Sequence, residues 1–209
     1  MPSPTLILAS KSAIRRTMLE GAGVQISCQS ADVDERAVEA SLCDIAPTAL
    51  ACELALAKAK SVSANHPGAL VIGADQVLEH GGQLLHKAAT ITAADAKLAK
   101  LEGQTHHLIA AVALVQNGET LWSSHDTASL TMRSLSASDR ATYLAKAGDA
   151  ATASVGAYRL EEIGASLFER IDGDYFTILG MPLLPLLGAL REHGIDPIRP
   201  DPLHIETAS

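Results

Sequence analysis

Leu6-Ile-Leu-Ala-Ser-Lys-Ser-Ala-Ile-Arg-Arg-Thr-Met-Leu19 is the stretch on which the fold turns. Leu6 to Ala9 is an apolar run of strand length, and Ile14, Met18 and Leu19 then recur with helical spacing. A strand that enters a helix through Ser10-Lys11-Ser12 opens an α/β fold. Such a turn aims several backbone N–H groups at one spot, where the helix dipole favours an anion. Ser10 or Ser12 is placed to cap the helix. Lys11, Arg15 and Arg16 add positive charge at the helix end that prefers negative charge. A bound anion, most simply a phosphate, resolves that conflict. Two solvated arginines on a surface helix account for it equally well.

Working outward, the 209 residues suit one domain or two small lobes and are enough to bury a core. Aromatic residues are only 3% of the chain, so the core must be aliphatic. The formal net charge of −8 argues against binding nucleic-acid polymers or a membrane surface, which requires a basic face. It leaves room for a local basic pocket. Cys28, Cys43 and Cys52 are odd in number and lack metal-ligand spacing, so reduced thiols are expected. The first apolar run has no basic segment before it, which is unlike a signal peptide, and no run reaches membrane-spanning length. A cytoplasmic protein is the expectation.

Gly21-Ala-Gly23 stops the first helix, and Val24 to Cys28 reads as a short strand. Ala31 to Glu35 reads as an acidic loop. Pro47 opens an alanine-rich helix to about Ala64 with Leu50, Leu54, Ala57 and Val62 as its apolar stripe. Lys58 falls near the edge of that stripe, where a lysine ordinarily snorkels to solvent. Ala69 to Ala74 suits a buried central strand, and Asp75-Gln76 stands at its end. A carboxylate there is a candidate for catalysis or metal binding.

Val77 to Leu85 predicts a hairpin turning at His80-Gly-Gly82, with Lys87 after it. Thr92 to Leu101 predicts a helix capped by Thr92. Two long strands, Thr105 to Gln116 and Glu119 to Thr131, meet at Asn117-Gly118. Ser136 and Asp139 start another helix, which ends near Gly148. Leu167 to Ile171 reads as a strand, and Met181-Pro182 opens a last helix closed by Gly194. Helices and hairpins interleave, so the fold class is α/β with a mixed, twisted β-sheet flanked by helices. Residues 1–196 form one domain and 197–209 a Pro-rich, loosely ordered tail. A break between lobes, if present, falls between Asp75 and Lys87.

A basic cluster on the first helix and carboxylates at Asp34, Glu35 and Asp75 suit metal-assisted hydrolysis of a phosphoanhydride. Hard oxygen ligands hold Mg²⁺ or Mn²⁺, cations neutralise the leaving phosphate, and a carboxylate activates water. No Walker-type phosphate loop, dinucleotide-binding glycine turn or nucleophile elbow occurs.

Several stretches together resemble the Maf-like nucleoside triphosphate pyrophosphatases. Leu8 to Leu19 is similar to that family's N-terminal signature, Val33-Asp-Glu35 to its acidic loop, and Ala57-Lys-Ala-Lys60 to its helix lysine motif. Ile72-Gly-Ala-Asp-Gln-Val77 resembles the strand ending in its catalytic Asp, and Leu101-Glu-Gly-Gln-Thr-His106 its Gly-containing turn. Ser154 to Tyr158 and Ile171 to Pro182 resemble its C-terminal signatures. The matches run in order over nearly the whole chain.

The resemblance implies two lobes around a central cleft (a Maf/ITPase-like fold). It also implies hydrolysis of a nucleoside triphosphate between the α and β phosphates, with a divalent cation, Mg²⁺ or Mn²⁺, required. Asp75 then matches the proton acceptor. Ser10, Arg16, Lys58 and Lys87 match phosphate-contacting groups, with Arg15 beside them. Glu35 or Asp34 matches the acidic group near the metal, with Asp75. Ile14, Gln76 and Glu161 match the positions that set base preference. Gln76 and Glu161 are similar to the branch acting on 7-methyl-GTP, and the branch acting on dTTP and UTP is the alternative. A nucleotide-binding regulator of cell division without turnover is another. Ile14 stands where the 7-methyl-GTP branch commonly has an aromatic residue. Ala13 replaces a usual Pro, and His86-Lys87-Ala88 replaces Gly-Lys-Pro. A homodimer is also implied.

Overall fold

The structure is a computed structural model and describes residues 5–42 and 45–199. Cys43 and the tail from 200 to 209 lie outside the described residues. Strand β1 (Leu6–Leu8) leads into α1 (Ala13–Gly21), followed by β2 (Ser27–Cys28), α2 (Glu35–Ser41) and α3 (Pro47–Ser63). β3 (Leu70–His80), β4 (Gln83–Leu85) and α4 (Ile91–Leu101) come next, then β5 (Thr105–Gln116) and β6 (Glu119–Met132). The chain ends with α5 (Ala137–Ala147), α6 (Ala150–Ala153), a 3₁₀ turn (Ile163–Leu167), β7 (Phe168–Asp172), α7 (Tyr175–Ile178) and α8 (Leu183–Glu192).

The main path of the sheet runs β2-β1-β3-β5-β6-β7, with β4 also paired to β3. β1 is parallel to β2 and β3, and the other pairs are antiparallel. This is the mixed α/β sheet expected. The β5–β6 hairpin turns where expected, with Asn117 and Gly118 both at positive φ, as a two-residue hairpin loop of the favoured twist requires. Ser136 and Asp139 form the anticipated capping box of α5.

Several boundaries shift. Thr90, not Thr92, caps α4, because its side chain accepts from the Ala93 N–H. The second strand shrinks to Ser27–Cys28, and the late strand begins at Phe168 because the residues before it coil into the 3₁₀ turn. The acidic loop ends as the cap of a helix: Asp34 caps α2, and Glu35 is its first residue. Helix α3 buries Ala51, Ala55 and Ala59 beside Leu50, Leu54 and Val62.

Alternation along β3 sorts its side chains to the two faces. On one face, Gly73 lies under α3. A Cβ there would meet the Ala55 carbonyl oxygen at 2.0 Å and the Ala59 nitrogen at 2.7 Å, so only glycine permits this approach. On the other face, Ile72 and Ala74 pack with Met18 and Leu19 of α1 and with Leu186 and Leu190 of α8. A separate cluster near the far end of the sheet joins Leu78 to Leu98, Leu130, Tyr143 and Tyr158.

The edge of β3 changes neighbour. β1 pairs with it from Leu70 to Ile72, and β4 pairs with it only from Leu78 to His80. Among the described residues no strand pairs with that edge from Gly73 to Val77, while the opposite edge stays paired to β5 over the same segment. The result is a notch in one edge of a continuous sheet, because β3 and β5 run unbroken past it. Among the described residues no helix is long and apolar enough to cross a membrane.

Candidate active site

Asp75 projects from β3 within the notch and is 6% exposed. Lys58 of α3 reaches it, Nζ to Oδ1 2.5 Å, and the same ammonium meets Glu35 Oε1 at 2.6 Å. Lys58 follows buried Ala55 by three residues and Leu54 by four, so it belongs to the inward stripe of α3. Its side chain is only 13% exposed, so the snorkelling expectation fails: two carboxylates hold the ammonium inside. Glu35, on the first turn of α2, remains open to solvent.

Arg15 closes the other side. Its Nε donates to the Gly180 carbonyl at 2.9 Å and its Nη1 to the Ala74 carbonyl at 2.8 Å. The Ala74 oxygen belongs to the notch edge of β3, where a strand would otherwise take it. Gly180, at φ +104°, turns the chain after α7 so that its oxygen faces this guanidinium. Burial pushes the Arg15 pKa down, opposed by the nearby charges of Asp75 and Glu35. Burial raises the Asp75 pKa, and Lys58 and then Arg15 oppose the rise. A buried carboxyl raised by desolvation and opposed by two nearby cations marks Asp75 as the candidate functional group of the notch.

Among the described residues Arg16 is not bonded to Asp75, Lys58 or Arg15. It is exposed and pairs with Glu20 one turn on, Nε to Oε1 2.6 Å. Helical spacing explains the division: Arg15 precedes buried Met18 and Leu19 by three and four residues, whereas Arg16 precedes exposed Glu20 by four. Ser12 is the helix cap, accepting from the Arg15 N–H, and the Ser10 hydroxyl oxygen accepts from the Ser12 N–H. Both serines thus shape the turn before α1. Ile14 lies half-buried in its first turn.

Gln76, the neighbour of Asp75, points to the opposite face of the sheet. Its Nε2 donates to the carbonyls of Thr177 and Ile178, both at 3.0 Å. Lys87 and Glu161 are exposed, and neither is joined to Asp75 or Gln76 by a hydrogen bond or ion pair among the described residues. The Lys87 loop is instead anchored by Lys97, whose ammonium donates to the carbonyls of His86 and Val155.

Asp34 caps α2, its Oδ1 accepting from the Ala37 N–H at 3.0 Å. Among the described residues no group of three or more His, Cys, Asp or Glu converges on a metal position. Glu35 Oε1 and Asp75 Oδ1 do converge, on the Lys58 ammonium. Two carboxylates do not make an all-protein cage. They fit a magnesium-like ion that takes its remaining ligands from water and substrate phosphates.

The acidic helix start, the inward lysine and the glycine after α7 carry a signal that single motifs lack: they join three distant parts of the chain around one carboxylate. The model of the Maf-like protein family matches residues 5–193. The 7-methyl-GTP pyrophosphatase of Brucella abortus biovar 1 (strain 9-941) is 50% identical over 188 residues, covering 89% of this chain and 94% of that protein. The 7-methyl-GTP pyrophosphatase of Rhizobium etli is 50% identical over 194 residues, covering 92% and 98%. The nucleoside triphosphate pyrophosphatase of Bradyrhizobium diazoefficiens is 49% identical over 186 residues, covering 89% and 92%. With a family match this long and relatives this close from end to end, the chain belongs to the Maf family.

Proposed function

We propose that the chain is a nucleoside triphosphate pyrophosphatase that hydrolyses the α–β anhydride of 7-methyl-GTP. The observation that carries this reading is the buried Asp75 carboxylate in the sheet notch, flanked by Lys58 and Arg15. The names of the relatives from Brucella and Rhizobium support the choice of nucleotide.

The polyphosphate lies along the notch, across the start of α1, whose first-turn N–H groups have no partners inside the helix. Its charge draws the Lys58 ammonium, which frees Asp75 Oδ1. Asp75 then takes a proton from water as the new P–O bond forms and the bridging P–O bond breaks. Lys58 and Arg15 balance the charge that gathers on the departing pyrophosphate. Glu35 and Asp75 would hold a Mg²⁺ or Mn²⁺ ion, which supplies further charge neutralisation to the phosphates when bound.

The test is a nucleotide panel with Mg²⁺ or Mn²⁺, measuring pyrophosphate and orthophosphate separately, on the wild type and on Asp75→Asn. The expected result is pyrophosphate from 7-methyl-GTP, little from dTTP or UTP, and a loss of at least about a hundredfold in the variant. Orthophosphate as first product, equal turnover of dTTP, or nucleotide binding without turnover by the wild type would each overturn the reading.

A further inference from the structure

Gln76 is held in an unusual way. A glutamine amide has two N–H donors and one carbonyl acceptor. Here the nitrogen faces two main-chain carbonyls, those of Thr177 and Ile178. The reverse orientation would set three oxygens against one another, so the chemistry of the partners fixes the amide. Both donors are consumed. Oε1 is left as the group Gln76 can offer to a ligand, and among the described residues no hydrogen-bond donor engages it. It faces the Gly180 turn, where a Cβ on Gly180 would lie 3.6 Å from Oε1 and 3.3 Å from an Arg15 guanidinium nitrogen. The acceptor and the site arginine thus border the same turn.

The two carbonyls that hold the amide belong to α7, a helix of only four residues. So short an element does not fix its own position. Asp174 caps its start through the N–H groups of Phe176 and Thr177. A second tie comes from the sheet: the buried Thr177 hydroxyl donates to Asp126 Oδ2 of β6 at 2.7 Å. Asp126 is itself oriented, since its Oδ1 accepts from the Thr127 N–H at 2.8 Å. One path therefore runs from β6 through Asp126 and Thr177 to the amide of Gln76.

We propose that Asp126 and Thr177 are positioning residues for nucleobase recognition: their hydrogen bond sets the α7 carbonyls that lock Gln76 with Oε1 outward, as a fixed acceptor for base N–H donors. This rests on the pyrophosphatase reading for its ligand. A guanine edge presents two adjacent N–H donors, whereas thymine presents one N–H between two acceptors. An acceptor that cannot flip favours the first. A glutamine free to turn its amide serves both.

The test compares the wild type with Thr177→Val, Thr177→Ser and Asp126→Asn. One readout is kcat/KM for 7-methyl-GTP relative to dTTP. The other is solvent exchange of the Gln76 side-chain amide protons in ¹⁵N-glutamine-labelled protein, which needs no turnover. Thr177→Val is expected to speed amide exchange at least tenfold and to lower the nucleotide ratio about tenfold, the scale of one lost directional hydrogen bond. Thr177→Ser, which keeps the hydroxyl, is expected to restore both readouts. Asp126→Asn, which keeps an acceptor without charge, should fall between and serves if Thr177→Val does not fold. Unchanged amide exchange in both Thr177→Val and Asp126→Asn would overturn the proposal, as would equal loss of both nucleotides. If wild type turns over neither nucleotide while amide exchange responds as expected, the pyrophosphatase reading fails and the positioning role stands.

Discussion

Replacing Lys58 by Met removes an ammonium while keeping most of the side-chain volume, so it isolates charge from packing. Lys58 and Asp75 are 13% and 9% exposed at their side chains. Removing one partner of so buried a pair costs about 3–5 kcal/mol when the other stays charged. Asp75 need not stay charged. Burial already raises its pKa, and Lys58 is the largest influence in the opposite direction. Without Lys58 the pKa climbs further, each unit amounting to about 1.4 kcal/mol. An acid whose folded pKa exceeds its unfolded value near about 3.9 holds its proton longer when folded. It destabilises the fold progressively as pH rises from the unfolded pKa to the folded one. The substitution extends the upper end of that window. The melting temperature of Lys58→Met should therefore fall further below wild type as pH rises from the unfolded carboxylate pKa toward neutrality, and approach it in acid. At neutral pH the deficit is bounded by the 3–5 kcal/mol figure. Glu35, 56% exposed, adds little because solvent takes up its charge. Thermal melts across that pH range measure the effect. A deficit that does not vary with pH would refute the reasoning, since Lys58 would then act through packing alone.

Three other substitutions separate parts of the structure. Arg15→Gln should abolish most pyrophosphate release, whereas Arg16→Gln should leave both release and melting temperature close to wild type, because its pair with Glu20 is at the surface. Gly73→Ala should lower stability by about 1–3 kcal/mol or more in denaturant unfolding, since the new methyl meets the backbone of α3 and not a side chain that can turn away. Tyr158→Phe removes the partner of the buried His106, bonded at 2.6 Å, and should cost about 1–3 kcal/mol by the same measurement. His106 is held neutral by burial, its pKa pushed down to about 4, so its contribution is lost as pH falls below the ordinary imidazole range.

Long elements were legible because their signals are long. The β5–β6 hairpin and α3 each carry an apolar pattern that no short alternative explains. By contrast β3, expected to end at Ala74 before a separate hairpin from Val77, runs unbroken from Leu70 to His80 with Asp75 at its middle. The polar pair Asp75-Gln76 interrupts the apolar run without ending the strand. Helices α2, α6 and α7 were not legible, because four to seven residues hold too little of a 3.6-residue period to be read. That matters for the site, since α2 delivers Glu35 and α7 delivers the carbonyls that hold Gln76. The capping role of Asp34 was hidden for the same reason, since an unrecognised helix start gives no reason to look for a cap. Arg15 and Arg16 were separable in principle, since Met18 and Leu19 already marked which face of α1 turns inward. The partners of Lys58 were not separable, because no local pattern states that α3 lies close enough to β3 for a lysine to reach Asp75. Only the glycine at position 73 hinted at so near an approach.

The notch in the sheet also accounts for a difficulty in assigning one ligand to both Asp75 and Gln76. Successive residues of a regular strand face opposite sides, so in the interior of a sheet these two side chains would be separated by a continuous layer of backbone. Here, among the described residues, no strand lies beside β3 on that edge from Gly73 to Val77. A ligand entering from that edge meets the Asp75 face on the α3 side and the Gln76 face on the α7 side without crossing the sheet. Arg15 stands in the opening and bonds to both walls, the Ala74 carbonyl of β3 and the Gly180 carbonyl after α7. It thus fills the place of the missing strand with a cation. A nucleotide suits such an opening because its ends differ in kind, with polyphosphate for the cationic side and a base edge for the fixed acceptor. Lengthening β1 or β4 to close the notch would take the Ala74 carbonyl from Arg15, displace that cation and remove the site.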